Sequence, residues 1–226
     1  MTEDLLELGI AELGLNLSND NIADLELFLQ EMGRWNQVHN LTAIENEQDS
    51  VRLHLIDSIA VLPVMRRFLQ DNSRIADLGS GGGLPAIPIA IIQPNWSLTL
   101  IEAIRKKTAF LQHVRGKLKL KNIDVQSDRV ENVALQQSGQ FDAVISRAFT
   151  NLSRFLELSL PLLKPNGLVF AMKAKRADEE LSAVCKEDWQ LLADEALCIP
   201  NLSVERRLLV LGPVRKSTPT ISSAHS

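Results

Sequence analysis

The stretch RIADLGSGGGLPAIPIAII, residues 74–92, decides the fold of this chain. A short apolar segment that carries Asp77 runs into three consecutive glycines, Gly81 to Gly83. A second apolar segment follows and stops before Pro94. Glycine lets the backbone turn sharply and lets a ligand approach the main chain, at a cost in backbone entropy that a plain turn does not require. The stretch therefore predicts a strand, a ligand-binding loop and a short helix.

The same alternation of strand and helix continues to the end of the chain. Strands are predicted over residues 74–79, 98–103, 122–128, 141–148, 166–173, 189–199 and 205–213. Helices are predicted over residues 85–92, 105–120, 151–163 and 176–186. Strands that alternate with helices indicate an α/β fold with a parallel sheet covered on both faces. The last two strands are joined by a link too short for a crossover helix, so the last of the seven strands should be antiparallel.

The first third of the chain has a helical pattern instead. Apolar residues recur at helical spacing over residues 21–38 and again over residues 51–69, and the polar segment 35–49 between the two apolar faces predicts a loop. We therefore divide the chain into an N-terminal helical region (1–66), an α/β domain (67–213) and a small, polar, disordered tail (214–226).

Composition sets the broad class of protein. Of the 226 residues, 45% are hydrophobic and 23% are charged, which is typical of a soluble globular protein. The longest apolar run, residues 84–92, is too short to cross a bilayer, and the acidic N-terminus lacks the basic region of a signal peptide. Cys185 and Cys198 are isolated in the sequence. We expect a cytoplasmic, monomeric protein with no membrane contact, no disulfide and no metal site.

The net charge is −4, but the charged residues are distributed unevenly along the chain. Residues 1–66 hold twelve acidic and three basic residues, and the remainder holds 21 basic and 16 acidic residues. Seven basic residues and no acidic one lie within residues 104–121: Arg105, Lys106, Lys107, Arg115, Lys117, Lys119 and Lys121. A solvated helix face would explain scattered charges, but unopposed cations repel one another without a polyanion nearby. The segment therefore favours contact with a nucleic acid.

Two ligands suit a glycine loop beyond the carboxyl end of a strand in a doubly wound sheet. Glu102 ends the second strand, where a carboxylate can accept both ribose hydroxyls of an adenosine. A nicotinamide or flavin dinucleotide is one candidate, because Gly81-x-Gly83-x-x-Ala86 fits its fingerprint. Against it, Pro85 and Pro88 remove amide donors from the helix start that would hold a pyrophosphate, and Asp77 would repel that group.

S-adenosylmethionine is the favoured candidate. It has no phosphate, and its methionyl ammonium and sulfonium are cationic, so a nearby acid helps. The run Asp77-Leu78-Gly79-Ser80-Gly81-Gly82-Gly83 resembles the first motif of the Rossmann-like methyltransferases, acid-x-Gly-x-Gly-x-Gly, which makes Asp77 and Gly81 candidate cofactor-binding residues. Glu102 matches the ribose-binding acid of that superfamily, and the closing strand pair matches its reversed seventh strand.

The choice of methyl acceptor is limited by the catalytic motifs that the chain lacks. Methyl transfer to carbon five of a pyrimidine needs a cysteine nucleophile, and neither Cys185 nor Cys198 has the usual Pro-Cys context. Transfer to an exocyclic amine usually uses an Asn/Asp-Pro-Pro-aromatic motif, where this chain has Ser-Arg-Ala-Phe at 146–149. A ring nitrogen such as guanine N7 carries a free lone pair, so it needs positioning and no general base.

Arg147 is the predicted catalytic residue in this scheme. A donor on N7 would block the attack, so Arg147 is expected to hold guanine O6, a phosphate or the cofactor. The alternative is a purely structural ion pair with Asp142 or Glu131. His54 and His113 lie on helical patterns and are interpreted as structural residues.

Several further segments resemble one family, the RsmG (GidB) bacterial small-subunit rRNA methyltransferases, which make 7-methylguanine in 16S rRNA. The segments are Trp35-Asn36 with Asn40-Leu41-Thr42, His54 to Ser58, Asp77 to Pro85, Lys106-Lys107 with Phe110-Leu111, Arg129-Val130-Glu131 and Ser146-Arg147-Ala148. They occur in the family's order and cover roughly residues 5–212. Ala86 and Ala174 depart from the family, which usually has glycine at both positions.

The resemblance implies a function and a set of site residues. It implies S-adenosylmethionine as cofactor and 16S rRNA or the small ribosomal subunit as partner, contacted by the basic 105–121 helix. It places Gly79 and Leu84 beside the cofactor, Glu102 at the ribose, Val130 and Glu131 near the adenine, and Arg147 at the mouth of the site. Trp35 is interpreted as a core anchor, although an aromatic ring with polar neighbours could also stack on a base. A methyltransferase for a small molecule or protein, and a non-enzymatic RNA-binding module, remain alternatives.

Overall fold

A seven-stranded sheet lies at the centre of the computed structural model, which describes residues 2–44, 46–147, 149–174, 177–199 and 205–214. The strands are β1 (Arg74–Leu78), β2 (Ser97–Ile101), β3 (Ile123–Gln126), β4 (Phe141–Arg147), β5 (Leu163–Lys173), β6 (Trp189–Ala196) and β7 (Arg207–Pro213). Their order across the sheet is β3-β2-β1-β4-β5-β7-β6. Strands β1 to β5 pair in parallel, and β7 is antiparallel to both β5 and β6. The predicted α/β sheet with a reversed seventh strand is confirmed.

Helices cover the sheet and precede it. They are α1 (Thr2–Glu12), α2 (Asn19–His39), α3 (Glu47–Ser50), a π-helix (Val51–Ile56), α4 (Asp57–Ile59), α5 (Leu62–Phe68), α6 (Ala86–Ile92), α7 (Arg105–Lys117), α8 (Val130–Gln136), α9 (Leu152–Ser159), a 3₁₀ turn (Leu160–Leu162) and α10 (Ala177–Ser182). Within the described ranges, none of these helices combines the length and the apolar character that a membrane span requires.

Two apolar clusters hold the layers together. One joins Leu25 and Phe28 of α2 to Ile75 of β1 and Phe110 of α7, so the N-terminal helices share a core with one face of the sheet. The other joins Phe155 of α9 to the opposite face. The division at residue 66 stays a prediction, and of the predicted disordered tail only Val214 is described, because residues 215–226 lie outside the described residues.

The N-terminal region differs from the prediction in two places. The helix predicted over residues 51–69 is broken into three pieces, and Pro63, which lacks an amide donor, lies in the first turn of α5. The loop predicted over residues 35–49 is wrong at both ends: α2 continues to His39, where Asn40 caps it in the left-handed conformation (φ 50°), and α3 begins at Glu47. Helices α1 and α8 were not predicted.

Candidate cofactor and acceptor site

The glycine loop lies at the carboxyl end of β1, beside the point where the strand order reverses between β1 and β4. Its first amides continue the sheet, because Gly79 N and Ser80 N both donate to the Ile101 carbonyl, at 2.9 and 3.2 Å. The φ angle of Gly79 is +67°, and a Cβ added there would overlap the ring of Phe149. Both the conformation and the close approach therefore require glycine at position 79.

A cavity of about 530 Å³ opens against this loop. Four of the predicted cofactor residues line it: Gly79, Glu102, Val130 and Glu131. The volume is within the range of small-molecule sites. Leu84, which was predicted to border the cofactor, is buried in the apolar core and is not among the residues that line this cavity.

Glu102 is fixed by two main-chain donors. Its Oε2 accepts the Gly81 amide at 2.9 Å, and its Oε1 accepts the Ile104 amide at 2.8 Å. The side chain is buried. A carboxylate oxygen can accept two hydrogen bonds, so each oxygen keeps a site for a ligand hydroxyl. The structure thus brings the glycine loop and the predicted ribose acid into one rigid unit.

Asp77 is a buried acid without a hydrogen-bond partner. It is fully buried, and neither carboxyl oxygen makes a hydrogen bond within the described structure. Ser80 lies close enough to lower its pKa, but the Ser80 hydroxyl donates to the main-chain oxygen of Asp77 instead, at 3.0 Å. Burial outweighs this and raises the pKa of Asp77 to about 8. A buried acid of this kind suits a cationic ligand, whose charge would favour the carboxylate form.

Arg147 ends β4 next to the same loop, but its partner differs from both candidates named from the sequence. Its Nη1 donates to Asp57 Oδ2 at 3.0 Å and to the Leu53 carbonyl at 2.6 Å. Asp142 pairs with Lys164, and Glu131 pairs with Arg154. The neighbouring Ser146 hydroxyl donates to the Leu78 carbonyl at 2.9 Å, which ties the end of β4 to the end of β1.

Arg206 is a residue that the sequence did not single out, and Asp57 received no role. Arg206 Nε donates to the second oxygen of Asp57 at 3.2 Å, so one buried carboxylate holds two arginines. Asp57 stands in the segment His54 to Ser58 that carries the family resemblance. Its acidic character was visible there, but its arginine partners lie 90 and 149 positions away in the chain.

The basic segment is a surface that borders the cavity. Helix α7 covers residues 105–117, and Lys119 and Lys121 follow it, both exposed. Lys107 lines the cavity, and Lys106 Nζ donates to the His39 carbonyl at the end of α2, at 3.0 Å. The cations thus extend from the cavity along α7 and into the segment that follows it.

Trp35 lies under this surface. Its ring centroid is 5.6 Å from that of Phe110, 5.1 Å from His39 and 5.3 Å from His113. The side chain packs against the apolar core. His113 Nε2 in turn lies 2.8 Å from Glu31 Oε2, and this hydrogen bond lowers the pKa of Glu31. The contacts support a structural role for both Trp35 and His113.

The residues of the site fit S-adenosylmethionine. Gly79 and Glu102, whose carboxylate keeps free lone pairs, line the cavity, and the space of the missing Cβ at Gly79 holds the ring of Phe149. The orphaned buried acid Asp77 belongs to the strand that leads into the loop and is not among the residues that line the cavity. A pyrophosphate fits less well, because Pro85 precedes α6 and Pro88 lies in its first turn, and neither has an amide to donate.

The fold is that of the Rossmann-like methyltransferases. A solved structure of M. jannaschii TYW2 in complex with AdoMet matches with a TM-score of 0.50, over 70% of this chain and 77% of that one. At 19% sequence identity, the likeness concerns the fold.

Sequence comparison then gives the family. The chain belongs to the GidB family, rRNA small subunit methyltransferase G, whose model matches residues 21–210. It is 83% identical to the Ribosomal RNA small subunit methyltransferase G of Polynucleobacter asymbioticus, over 96% of this chain and 98% of the relative. It is 43% identical to the protein of that name from Azoarcus sp. strain BH72, over 90% and 92% of the two chains. The family resemblance stated from the motifs is confirmed.

Proposed function

We propose that this protein transfers the methyl group of S-adenosylmethionine to N7 of one guanine in 16S rRNA. The observation that carries the proposal is the cavity at the glycine loop, in which Glu102 is held by two main-chain amides beside the orphaned acid Asp77. Family membership and the names of the relatives support a ribosomal RNA acceptor. With that substrate the protein acts in the cytoplasm.

Each residue has a physical role in this proposal. Glu102 would accept the ribose hydroxyls through its remaining lone pairs, and Val130 would pack on the adenine. Gly79 and Gly81 would let the cofactor reach the main chain, and Asp77 would face its cationic end. When bound, S-adenosylmethionine supplies a methyl group on a sulfonium.

Guanine N7 is the acceptor that needs the fewest protein groups. Its lone pair carries no proton, so the chain has to orient the base and exclude water, without removing a proton. Cys185 and Cys198 are both exposed, and neither lines the cavity, so a cysteine nucleophile is not supported. Arg147 would hold an oxygen of the acceptor at the mouth of the site.

The basic helix would provide the RNA contact. We expect Lys119→Ala to weaken binding to 16S rRNA and to reduce the slope of log K against log salt by about 0.7 to 0.9, as the loss of one phosphate contact does. Lys186→Ala removes another exposed lysine, outside this segment, and should leave the slope unchanged. Equal slopes for both variants would mean that Lys119 makes no contact with an RNA phosphate.

The deciding experiment is methyl transfer from labelled S-adenosylmethionine to purified small subunits, to bare 16S rRNA and to total protein. Label is expected as 7-methylguanosine at one RNA position, identified by mass. Arg147→Ala should strongly lower this activity, while Arg67→Ala, an arginine paired with Glu195, should keep it. Binding of S-adenosylmethionine without label in either RNA would overturn the rRNA assignment in favour of a small molecule or a protein.

A further inference from the structure

A π-helical turn leaves one main-chain carbonyl available to a side chain. In the π-helix (Val51–Ile56), the Asp57 amide donates to the Arg52 carbonyl, five residues back. An α-helical turn would direct that amide to the Leu53 carbonyl. The Leu53 carbonyl accepts Arg147 Nη1 at 2.6 Å instead. The local widening of the helix therefore creates an acceptor for an arginine, which is consistent with the frequent occurrence of π-turns at functional sites.

Asp57 provides the second anchor. The residue is 2% exposed, and its two oxygens accept from Arg147 and from Arg206, at 3.0 and 3.2 Å. The two guanidinium groups and the Asp57 carboxylate together carry one net positive charge, and all three side chains are mostly buried. Without the carboxylate, the two cations would repel each other at short range. Asp57 is therefore the group that allows both arginines to occupy their positions.

The anchors use only one nitrogen of Arg147. Both hydrogen bonds are donated by Nη1, and Nε and Nη2 make no hydrogen bond within the described residues. A guanidinium is planar and presents its donors in a fixed fork. Fixing Nη1 on the helix side thus fixes the direction in which Nε and Nη2 can donate. The end of β4 that carries this group is tied to β1 by the Ser146 to Leu78 hydrogen bond.

We infer that Asp57, with the Leu53 carbonyl, is the positioning residue that orients Arg147 toward an oxygen of the RNA acceptor. The inference rests on the proposed function, because it gives Arg147 a substrate to orient. It assigns Asp57 no contact with the reacting atoms. Loss of Asp57 should therefore lower the rate of methyl transfer and leave the binding of S-adenosylmethionine unchanged.

The test combines Asp57→Asn, Arg147→Ala and the double variant. We measure kcat and KM with small subunits, the Kd of S-adenosylmethionine by calorimetry, and the Tm. Asp57→Asn is expected to lower kcat about 100-fold, the order of loss that a misplaced group causes, with a cofactor Kd within about twofold of wild type. In the Arg147→Ala background it should cause no further loss of kcat, because the group it positions is gone.

Asp194→Asn is the matched control. Asp194 is also a carboxylate paired with an arginine, Arg207, but it belongs to β6. It should lower Tm and leave kcat unchanged. If Asp57→Asn does not fold, Asp57→Glu keeps the charge and displaces the carboxylate by one methylene, and it should show the same loss of kcat.

The outcomes separate this inference from the proposed function. Absence of 7-methylguanosine with the wild-type protein would overturn the proposed function itself. An active wild type with an impaired Arg147→Ala variant, but with an Asp57→Asn variant as active as Asp194→Asn, would overturn only the positioning role. The positioning role would also be overturned if the losses of kcat in the two single variants were fully additive in the double variant. If Asp57→Asn is unfolded, a wild-type kcat for Asp57→Glu would overturn it as well.

Discussion

The main-chain amide of Gly81 donates to Oε2 of Glu102 across 2.9 Å, which joins the glycine loop to the end of β2. The contact spans 21 positions of the chain, and Glu102 lines the cavity at the loop. It means that Glu102 has two tasks, holding the loop and offering its remaining lone pairs to a ligand. Replacing this acid should therefore affect cofactor binding more than any other acid at the cavity.

We expect Glu102→Gln to weaken the binding of S-adenosylmethionine about 10-fold to 100-fold, because a hydrogen bond to a charged group contributes about 1.5 to 3 kcal/mol. Glu131→Gln is the comparison at a second acid of the cavity, because the Glu131 side chain is half exposed and pairs with Arg154 at the surface. It should change the Kd less than about threefold, because exposed ion pairs contribute about 0 to 1 kcal/mol. Calorimetric titration of both variants is the measurement. An equal loss for both would mean that Glu131 also holds the cofactor.

Gly79→Ala tests whether the loop requires a bare backbone. Gly79 and Gly14 both have positive φ, +67° and +64°, so alanine should cost about 1 to 2 kcal/mol of unfolding free energy at either position. Only at Gly79 would the new methyl group overlap a side chain, that of Phe149, which lines the cavity. Nothing lies within 4 Å at Gly14. Denaturant unfolding should show losses for both variants, and only Gly79→Ala should lose cofactor affinity. Unchanged affinity in Gly79→Ala would show that the cofactor does not approach Phe149.

The strand, the glycine loop and the second-strand acid could be predicted because each is a local signal. A buried strand followed by glycines is visible within residues 74–83, and Glu102 follows from the next strand along the chain. Parallel strands place their carboxyl ends at one edge, so these pieces meet whatever the details of packing. The reversed last strand followed from the shortness of its connection in the same way.

The contacts of Asp57 with Arg147 and Arg206 could not be predicted, because these residues are far apart in the chain and follow no regular spacing. Arg147 is held by Asp57 and by the Leu53 carbonyl, which the π-turn leaves to it, and no spacing rule encodes that turn. Helix α8 was missed because its seven residues present only three buried positions, too few for a period to show. The contact of Phe149 with Gly79 is likewise a matter of tertiary packing.

His54 should make the folded protein less stable in acid. Burial, with the charge of Arg147 as a second cause, lowers the pKa of His54 from 6.5 to about 4. The unfolded chain therefore takes up a proton below pH 6.5, whereas the folded chain does so only near pH 4. Stability that is present above pH 6.5 is lost as the pH falls toward 4, by up to about 1.4 kcal/mol for each pH unit.

The measurement is the free energy of unfolding of wild type and of His54→Gln from pH 7 to pH 4.5. Wild type should be the more stable protein at pH 7, because Thr42 Oγ1 lies 3.1 Å from His54 Nε2 in a buried site. The difference should narrow as the pH falls. A difference that is constant across this range would show that His54 titrates normally in the folded protein.

Asp77, in contrast to His54, should make the folded protein less stable as the pH rises. It should also make cofactor binding depend on pH. Its pKa is raised from 3.8 to about 8. The folded protein therefore holds a proton that the unfolded chain has already lost, and stability falls as the pH rises from about 4 to about 8. Asp77→Asn should remove this decline and be more stable than wild type at pH 8.

The affinity for a cationic ligand beside Asp77 should rise with pH, whereas the stability that Asp77 contributes falls with pH. A sulfonium or ammonium beside Asp77 favours the carboxylate, so the pKa of Asp77 should fall on binding and a proton should be released. The affinity of wild type for S-adenosylmethionine should rise from pH 6 to pH 8 and level off above it. Calorimetry in two buffers of different ionisation enthalpy measures the released proton, and Asp77→Asn should bind more weakly and release fewer protons. Equal proton release by wild type and Asp77→Asn would mean that the cationic end of the cofactor lies elsewhere, and Asp77 would then be only a buried acid of the sheet.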